Sequence, residues 1–233
     1  MLNSKDVKVT AIIIAAGSGK RMKSSTPKQF LLLEGKPIIW HTLSVFQDCE
    51  IVEEIVLVAN REDIPFLEDF KKVKKVVPGG WRRQDSSLKG LEAAGSEAED
   101  IVIFHDGVRP FVRRETILEC VREVKRTGAA ICALRPKETV KVGTEGNLVR
   151  ETLDRKNLWL VQTPQVFKAD LIRRGFENAK EKELEVTDEA MLIEQLGYPV
   201  KIVEGDEENI KITTPDDLIL AKAILKGREC ELA

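Results

Sequence analysis

The chain has 233 residues, 42% of them hydrophobic, with 37 lysines and arginines set against 39 aspartates and glutamates. That length and apolar content suit one α/β core and predict a single domain over residues 1–233, while the near-neutral charge excludes the basic field that a nucleic-acid partner requires. Four widely spaced cysteines without a CxxC pair argue against a zinc site or a disulfide framework, and no stretch is apolar for long enough to span a membrane, so the expected compartment is the cytoplasm.

The first predicted strand, residues 9–15, runs directly into AAGSGKRM. Gly17 and Gly19 sit where the chain leaves the sheet and bends, with backbone N–H groups free to face an anion such as phosphate. A dinucleotide-binding loop needs a third glycine where Met22 stands, and a P-loop needs GK[ST] after four spacers, so both familiar patterns fail. Lys20, Arg21, Lys23, Thr26, Pro27 and Lys28 follow, a cationic loop that could wrap a triphosphate, although a plain turn with solvated lysines accounts for the glycines alone.

Ile38, Ile39, Leu43 and Phe46 recur at helical spacing, with His41 a structural residue on the same helix, and a strand is predicted at 55–59. In PGGWRRQDSSLKGL, Gly79 and Gly80 form a turn before a helix capped by Asp85 or Ser86, with Leu88 and Leu91 toward the core. The strand at 101–104 leads into HDGVRPF, placing Asp106 at a carboxyl end, where a carboxylate can help hold Mg²⁺ beside phosphates or simply cap a loop. Ile117, Leu118, Val121 and Val124 mark another helix, and residues 129–134 another strand.

Residues 138–142 and 147–152 alternate polar and apolar around GTEGN, predicting a β-hairpin arm inserted at about 136–159. Two strands alone are barely stable, so the arm is expected to lean on a second subunit and make a homodimer, or else lie as a flap on its own domain. TDEA opens a helix for which Thr187 is a sufficient cap, and a strand follows at 200–203. In NIKITTPDDL, Ile210 and Ile212 point one way and Lys211 the other, just before a last helix started by Thr214 and Pro215 and ended at Gly227. Strand and helix alternate throughout, which predicts a three-layer, Rossmann-like α/β fold. Its mainly parallel sheet is flanked by helices and carries the β-hairpin arm, with ligand at the carboxyl ends of the strands.

AAGSGKRM followed by PKQF resembles the opening signature of the cytidylyltransferases that act on sugar-alcohol phosphates, and further ordered motifs continue the resemblance to Leu218. The resemblance implies CTP and a sugar-alcohol phosphate as substrates, with Mg²⁺ or another divalent cation. It assigns Ala15, Ala16, Gly17, Ser18, Gly19, Gly80, Arg83 and Ser86 to the nucleotide, with Gly80, Arg83 and Ser86 at the positions that hold cytosine. Asp106, Gly107, Arg109, Thr139, Thr163 and Thr187 fall to the substrate, and Asp106 also to the metal. Where many relatives carry two alanines between that Asp and Arg, this chain has Gly107 and Val108. The resemblance makes Arg21, Lys28, Arg155 and Lys211 the catalytic cations, with Arg155 and Thr139 serving the neighbouring subunit's site. DRKNLW favours an erythritol-type acceptor over a ribitol-type one.

Such a reaction sets an anionic phosphate oxygen against the α-phosphorus of a polyanion, so cations must offset their repulsion. A phosphate monoester is largely dianionic at neutral pH and needs little help from a general base, in keeping with a chain that has only His41 and His105 and no nucleophile–base constellation. Two other classes stay open on the residues alone: a nucleotide sensor without turnover, and an NAD-dependent oxidoreductase.

Overall fold

A computed structural model describes residues 7–17, 26–60 and 64–231. In chain order the elements are β1 (Val9–Ile14), β2 (Leu32–Leu33), β3 (Lys36–Pro37), α1 (Ile38–Asp48), β4 (Glu54–Val58), β5 (Val73–Val77), α2 (Arg83–Ala94), β6 (Ile101–Asp106), α3 (Arg114–Thr127) and β7 (Ala129–Leu134). There follow β8 (Lys141–Gly143), β9 (Val149–Thr152), β10 (Leu160–Lys168), α4 (Ala169–Glu181), α5 (Glu189–Glu194), β11 (Lys201–Glu204) and α6 (Pro215–Glu231).

Seven strands form one sheet in the order β11-β7-β10-β6-β1-β4-β5. All are mutually parallel except β10, which runs antiparallel between β6 and β7. Alternation along β1 divides the core: Ala11 and Ile13 pack with Leu43 and Phe46 of α1 and Val121 of α3, whereas Ile12 packs on the other face with Leu91 of α2, Phe176 of α4 and Leu192 of α5. The result is the predicted three-layer α/β arrangement. In the central register Ile14 stands beside both Val58 and Asp106, so β1, β4 and β6 end together. A smaller apolar cluster of Leu33, Ile38, Val108, Phe111, Ile212 and Ala221 ties α6 to the loop after β6.

Two strands of the main sheet escaped the sequence reading for different reasons. β5 reads VKKVV and lies at the sheet edge, half exposed, so it has no continuous apolar run. β10 reads LVQTPQVFK and buries Gln162, Thr163 and Gln165, each of which is hydrogen-bonded, so its polarity masks a central strand. Helix ends differ as well. Gly227 lies inside α6, which continues to Glu231. Thr214 does cap that helix, its hydroxyl accepting from Asp217 N–H at 3.3 Å. Helix α2 starts before the proposed caps, and Asp85, in its first turn, accepts the Arg82 N–H at 3.0 Å. At α5 the cap is Asp188, which accepts from Met191 N–H at 3.1 Å, in place of Thr187. The β8–β9 hairpin forms as expected and lies outside the main sheet.

Candidate active site

The loops after β1, β5 and β6 meet where their strands end. Ala15 N–H donates to the Val58 carbonyl of β4 at 2.9 Å, Gly107 N–H to the Ile14 carbonyl at 2.8 Å and Ala59 N–H to the Val77 carbonyl at 2.9 Å, which ties the ends of β6, β1, β4 and β5 together. The Gly79–Gly80 turn packs closely against the β1 loop: a Cβ on Gly79 would lie 2.2 Å from Ala16 Cβ, so only glycine lets the two backbones approach. Gly80 N–H donates to Ser86 Oγ at 2.9 Å, and that hydroxyl donates to the Arg82 carbonyl at 3.1 Å. Between these loops lies a cleft of about 420 Å³, lined by residues 14–17, Lys28, Gln29, residues 80–83, Ser86, Asp106, Val108 and Lys211. It opens at the carboxyl ends of the strands, beside the point where chain order reverses about β1, the usual ligand position in such sheets.

A chain of alternating charge runs along the cleft floor. Asp106, 6% exposed, receives Arg83 Nε at 3.3 Å on one oxygen and Lys211 Nζ at 2.8 Å on the other, with Arg109 Nε 3.5 Å away. Burial by itself would raise the Asp106 pKa, but the charges of Arg83, Lys211 and Arg109 outweigh it and hold the carboxyl far below the usual carboxylate range. Arg83 Nη1 reaches Glu189 at 2.7 and 2.9 Å, and Ser87 Oγ donates to the same carboxylate at 2.6 Å. Burial opposes the charge on Arg83, yet Glu189 and Asp106 together push its pKa up. Three cations thus face two carboxylates, and the floor stays positive even before Lys28 is added. Lys211 is brought there by its neighbour: Ile212 is buried, and its N–H donates to the Val108 carbonyl at 3.0 Å.

Beneath Asp106 a neutral relay fixes the loop. A carbonyl can only accept, so the 3.0 Å contact of His105 Nε2 with the Arg109 carbonyl places the ring proton on Nε2. Nδ1 then accepts from Thr163 Oγ at 3.1 Å, and Thr163 Oγ accepts from Asp106 N–H at 3.1 Å. Complete burial drives the His105 pKa down to about 4, which agrees with a neutral ring.

Of the residues singled out from sequence, Ala15, Ala16, Gly17, Lys28, Gly80, Arg83, Ser86, Asp106 and Lys211 line this one cleft. Ser18, Gly19 and Arg21 lie outside the described residues. Gly17 has open space where a Cβ would stand and no left-handed φ, so its glycine leaves room rather than permitting a bend. Gly107 is buried, its carbonyl accepting from Thr42 Oγ at 3.0 Å. Arg109 is half-buried beside Asp106 and donates to the Asn209 carbonyl at 2.7 Å, and Thr163 is sealed within the relay; both support the wall rather than line it. Thr187 is exposed and lines none of it.

Arg155 and Thr139 are exposed at the foot of the arm. Arg155 borders a second depression with Arg135, Pro136, Lys137 and Lys156. There Arg155 donates to the Lys137 carbonyl, Arg135 donates to the Lys156 carbonyl, and the Arg135 guanidinium lies 4.3 Å over the Trp159 ring. The chain does not bring Arg155 to Lys211 within one subunit's cleft. His41 is structural, as expected, with Nε2 2.8 Å from the Leu33 carbonyl. Glu189 was missed, although it follows the noticed Thr187 and Asp188; a carboxylate one residue past a helix cap reads as a first-turn charge, and only the fold aims it at Arg83.

The family model of IspD, 2-C-methyl-D-erythritol 4-phosphate cytidylyltransferase, matches residues 9–227. The chain is 46% identical over 227 residues to the 2-C-methyl-D-erythritol 4-phosphate cytidylyltransferase of Geobacillus kaustophilus, covering 95% of this chain and 98% of that one. It is 44% identical over 229 residues to the protein of that name from Syntrophus aciditrophicus, covering 95% and 97%. Among solved structures, 4-diphosphocytidyl-2C-methyl-D-erythritol synthase from Anaerococcus prevotii superposes with a TM-score of 0.81 at 32% identity, over 94% of this chain and 99% of that one.

Proposed function

The chain belongs to the 2-C-methyl-D-erythritol 4-phosphate cytidylyltransferase family, and from that premise we propose how its cleft works. It is an enzyme that converts CTP and 2-C-methyl-D-erythritol 4-phosphate to 4-diphosphocytidyl-2-C-methyl-D-erythritol and pyrophosphate. The observation that carries the mechanism is the convergence of Lys28, Arg83, Asp106 and Lys211 on one cleft walled by the β1 loop and the Gly79–Gly80 turn.

In this reading the cytosine sits at Gly80 and Ser86, with the triphosphate along residues 15–17 and Lys28. An oxygen of the acceptor's phosphate attacks the α-phosphorus; the new P–O bond forms as the α–β bridging bond breaks, and pyrophosphate carries away the electron pair. Lys28, and Arg21 by the family resemblance, stabilise charge on the α-phosphate and the leaving group. Lys211, held by Asp106 at 2.8 Å, aligns the acceptor phosphate for attack. No proton need be removed from the nucleophile, so the buried neutral His105 is not asked to act as a base.

A divalent cation fits this cleft through Asp106, the single carboxylate among its described lining residues, which its neighbours keep ionised. No group of three His, Cys, Asp or Glu side chains suited to a metal occurs among the described residues, so substrate phosphates and water would complete the shell. When bound, such an ion offsets phosphate charge.

The arm supports a homodimer in which Arg155 and Thr139 serve the partner's cleft. Leu148 and Val149 on the hairpin are 71% and 64% exposed, more apolar surface than an isolated two-stranded ladder leaves in water without a cover. The four free cysteines fit a reducing cytoplasm. No helix among the described residues is long and apolar enough to cross a membrane.

The test is pyrophosphate release from CTP with erythritol-type and ribitol-type acceptors offered separately. Turnover only with 2-C-methyl-D-erythritol 4-phosphate, lowered about 10²–10³-fold in Lys28→Ala, is expected; equal turnover with ribitol 5-phosphate would refute the acceptor assignment. Mixing Arg155→Ala with Lys28→Ala subunits should restore one intact site per heterodimer, and verified heterodimers without recovery would reject the arm's role in trans.

A further inference from the structure

Trp81 stands at the lip of the cleft with its indole 98% exposed, more than any other exposed large hydrophobic side chain described. Water around an indole is costly, and an aromatic of this size ordinarily covers something. Nothing among the described residues covers it, and the neighbouring backbone is closely packed. A Cβ on Gly79 would meet Ala16 Cβ at 2.2 Å, and one on Gly80 would meet Asp85 Cβ at 2.4 Å, so the turn that presents Trp81 is packed from both sides. Trp81 is the first residue after that turn with a side chain, and it borders the same cleft wall as Gly80 and Ser86. Its neighbour Arg82 does not take up the ring, since its guanidinium is engaged with Asp85 at 2.9 Å.

We propose that Trp81 is a nucleobase-stacking residue: on CTP entry its indole turns inward and covers the open face of the pyrimidine seated at Gly80 and Ser86. This rests on the placement of cytosine given above. Stacking uses the π-face that every base has, so Trp81 sets how tightly a pyrimidine is held, while Gly80 and Ser86 choose which one.

The protein's two other tryptophans are placed apart from this lip, Trp40 against Phe70 and Trp159 beneath Arg135. The emission difference between wild type and Trp81→Phe therefore isolates Trp81. CTP and UTP are titrated by calorimetry and by fluorescence into wild type, Trp81→Phe and Trp81→Ala. The expected result is a wild-type emission change that saturates with the calorimetric Kd and is lost in Trp81→Phe. Affinity in Trp81→Phe stays within about threefold of wild type, and Trp81→Ala loses about tenfold for CTP and UTP alike, with the melting temperature unchanged. Wild-type affinity in Trp81→Ala, or an emission spectrum unmoved at CTP saturation, would overturn the assignment while leaving the cytidylyltransferase reading standing. A wild-type protein that binds no CTP by calorimetry would instead bring down that reading, and this inference with it.

Discussion

Replacing Arg83 by alanine isolates the buried part of the charge chain. Glu189 is 1% exposed and, among the described residues, keeps only the Ser87 hydroxyl once Arg83 is gone, while Asp106 still has Lys211 and Arg109. Leaving a buried charge unpaired costs about 3–5 kcal/mol. The lower end, ~3 kcal/mol, applies here, because Ser87 remains and because the Arg83 side chain is 28% exposed, so water can follow it out. For a chain of this size that corresponds to a fall in Tm of roughly 6–12 °C. The compensating change is Glu189→Gln, which removes the orphaned charge but keeps the shape and the Ser87 contact. Urea denaturation of the four members of the cycle should make Arg83→Ala/Glu189→Gln more stable than Arg83→Ala alone, with a coupling of at least ~1.5 kcal/mol. A double variant no more stable than Arg83→Ala, or a single variant within about 0.5 kcal/mol of wild type, would refute the claim that these two groups hold each other in the folded protein.

Other outcomes follow from the same geometry. His105 has a folded pKa near 4 against an ordinary 6.5, so the unfolded chain binds the extra proton first; stability is complete above about pH 6.5 and declines as pH falls toward 4, by about 2 kcal/mol between pH 7 and pH 5. Urea midpoints across that range should slope less in His105→Gln, and parallel slopes would remove His105 as the cause. Gly79→Ala places a methyl 2.2 Å from Ala16 Cβ and should raise KM for CTP with a smaller change in kcat, as steady-state kinetics will report; an unchanged KM would mean that the two loops need not touch. Lys28→Ala should lower kcat/KM about 10²–10³-fold with its circular dichroism intact, and a near-normal rate would dismiss it as a transition-state cation. Gly90→Ala drives a methyl to 2.3 Å from Ile12 Cγ2 between α2 and the sheet and should cost about 1–3 kcal/mol in a denaturant midpoint measurement; a neutral effect would show slack in that core.

Wherever local chemistry determines an element, the linear chain was already informative. Apolar runs at β1, β4, β6, β7 and β11, the helical spacing of Ile38 to Phe46, and the Thr214–Pro215 start of α6 each depend on neighbours a few residues away, and each formed where expected. The same holds for Gly17, Gly80, Lys28, Asp106 and Lys211, whose placement after strands or beside a buried isoleucine aims them at the sheet's carboxyl end. Pairings across the fold were not legible. Arg83 and Glu189 are 106 residues apart, and a glutamate just past a helix cap looks like any first-turn charge until α5 packs beneath α2. Thr163 and Gln165 carry no strand signal of their own, because nothing nearby reveals that β10 will be inserted, antiparallel, between β6 and β7 and will satisfy them there. Periodicity tells which side of an element seeks the core; which distant side chain waits on that side depends on strand order, and strand order exists only once the chain has closed on itself.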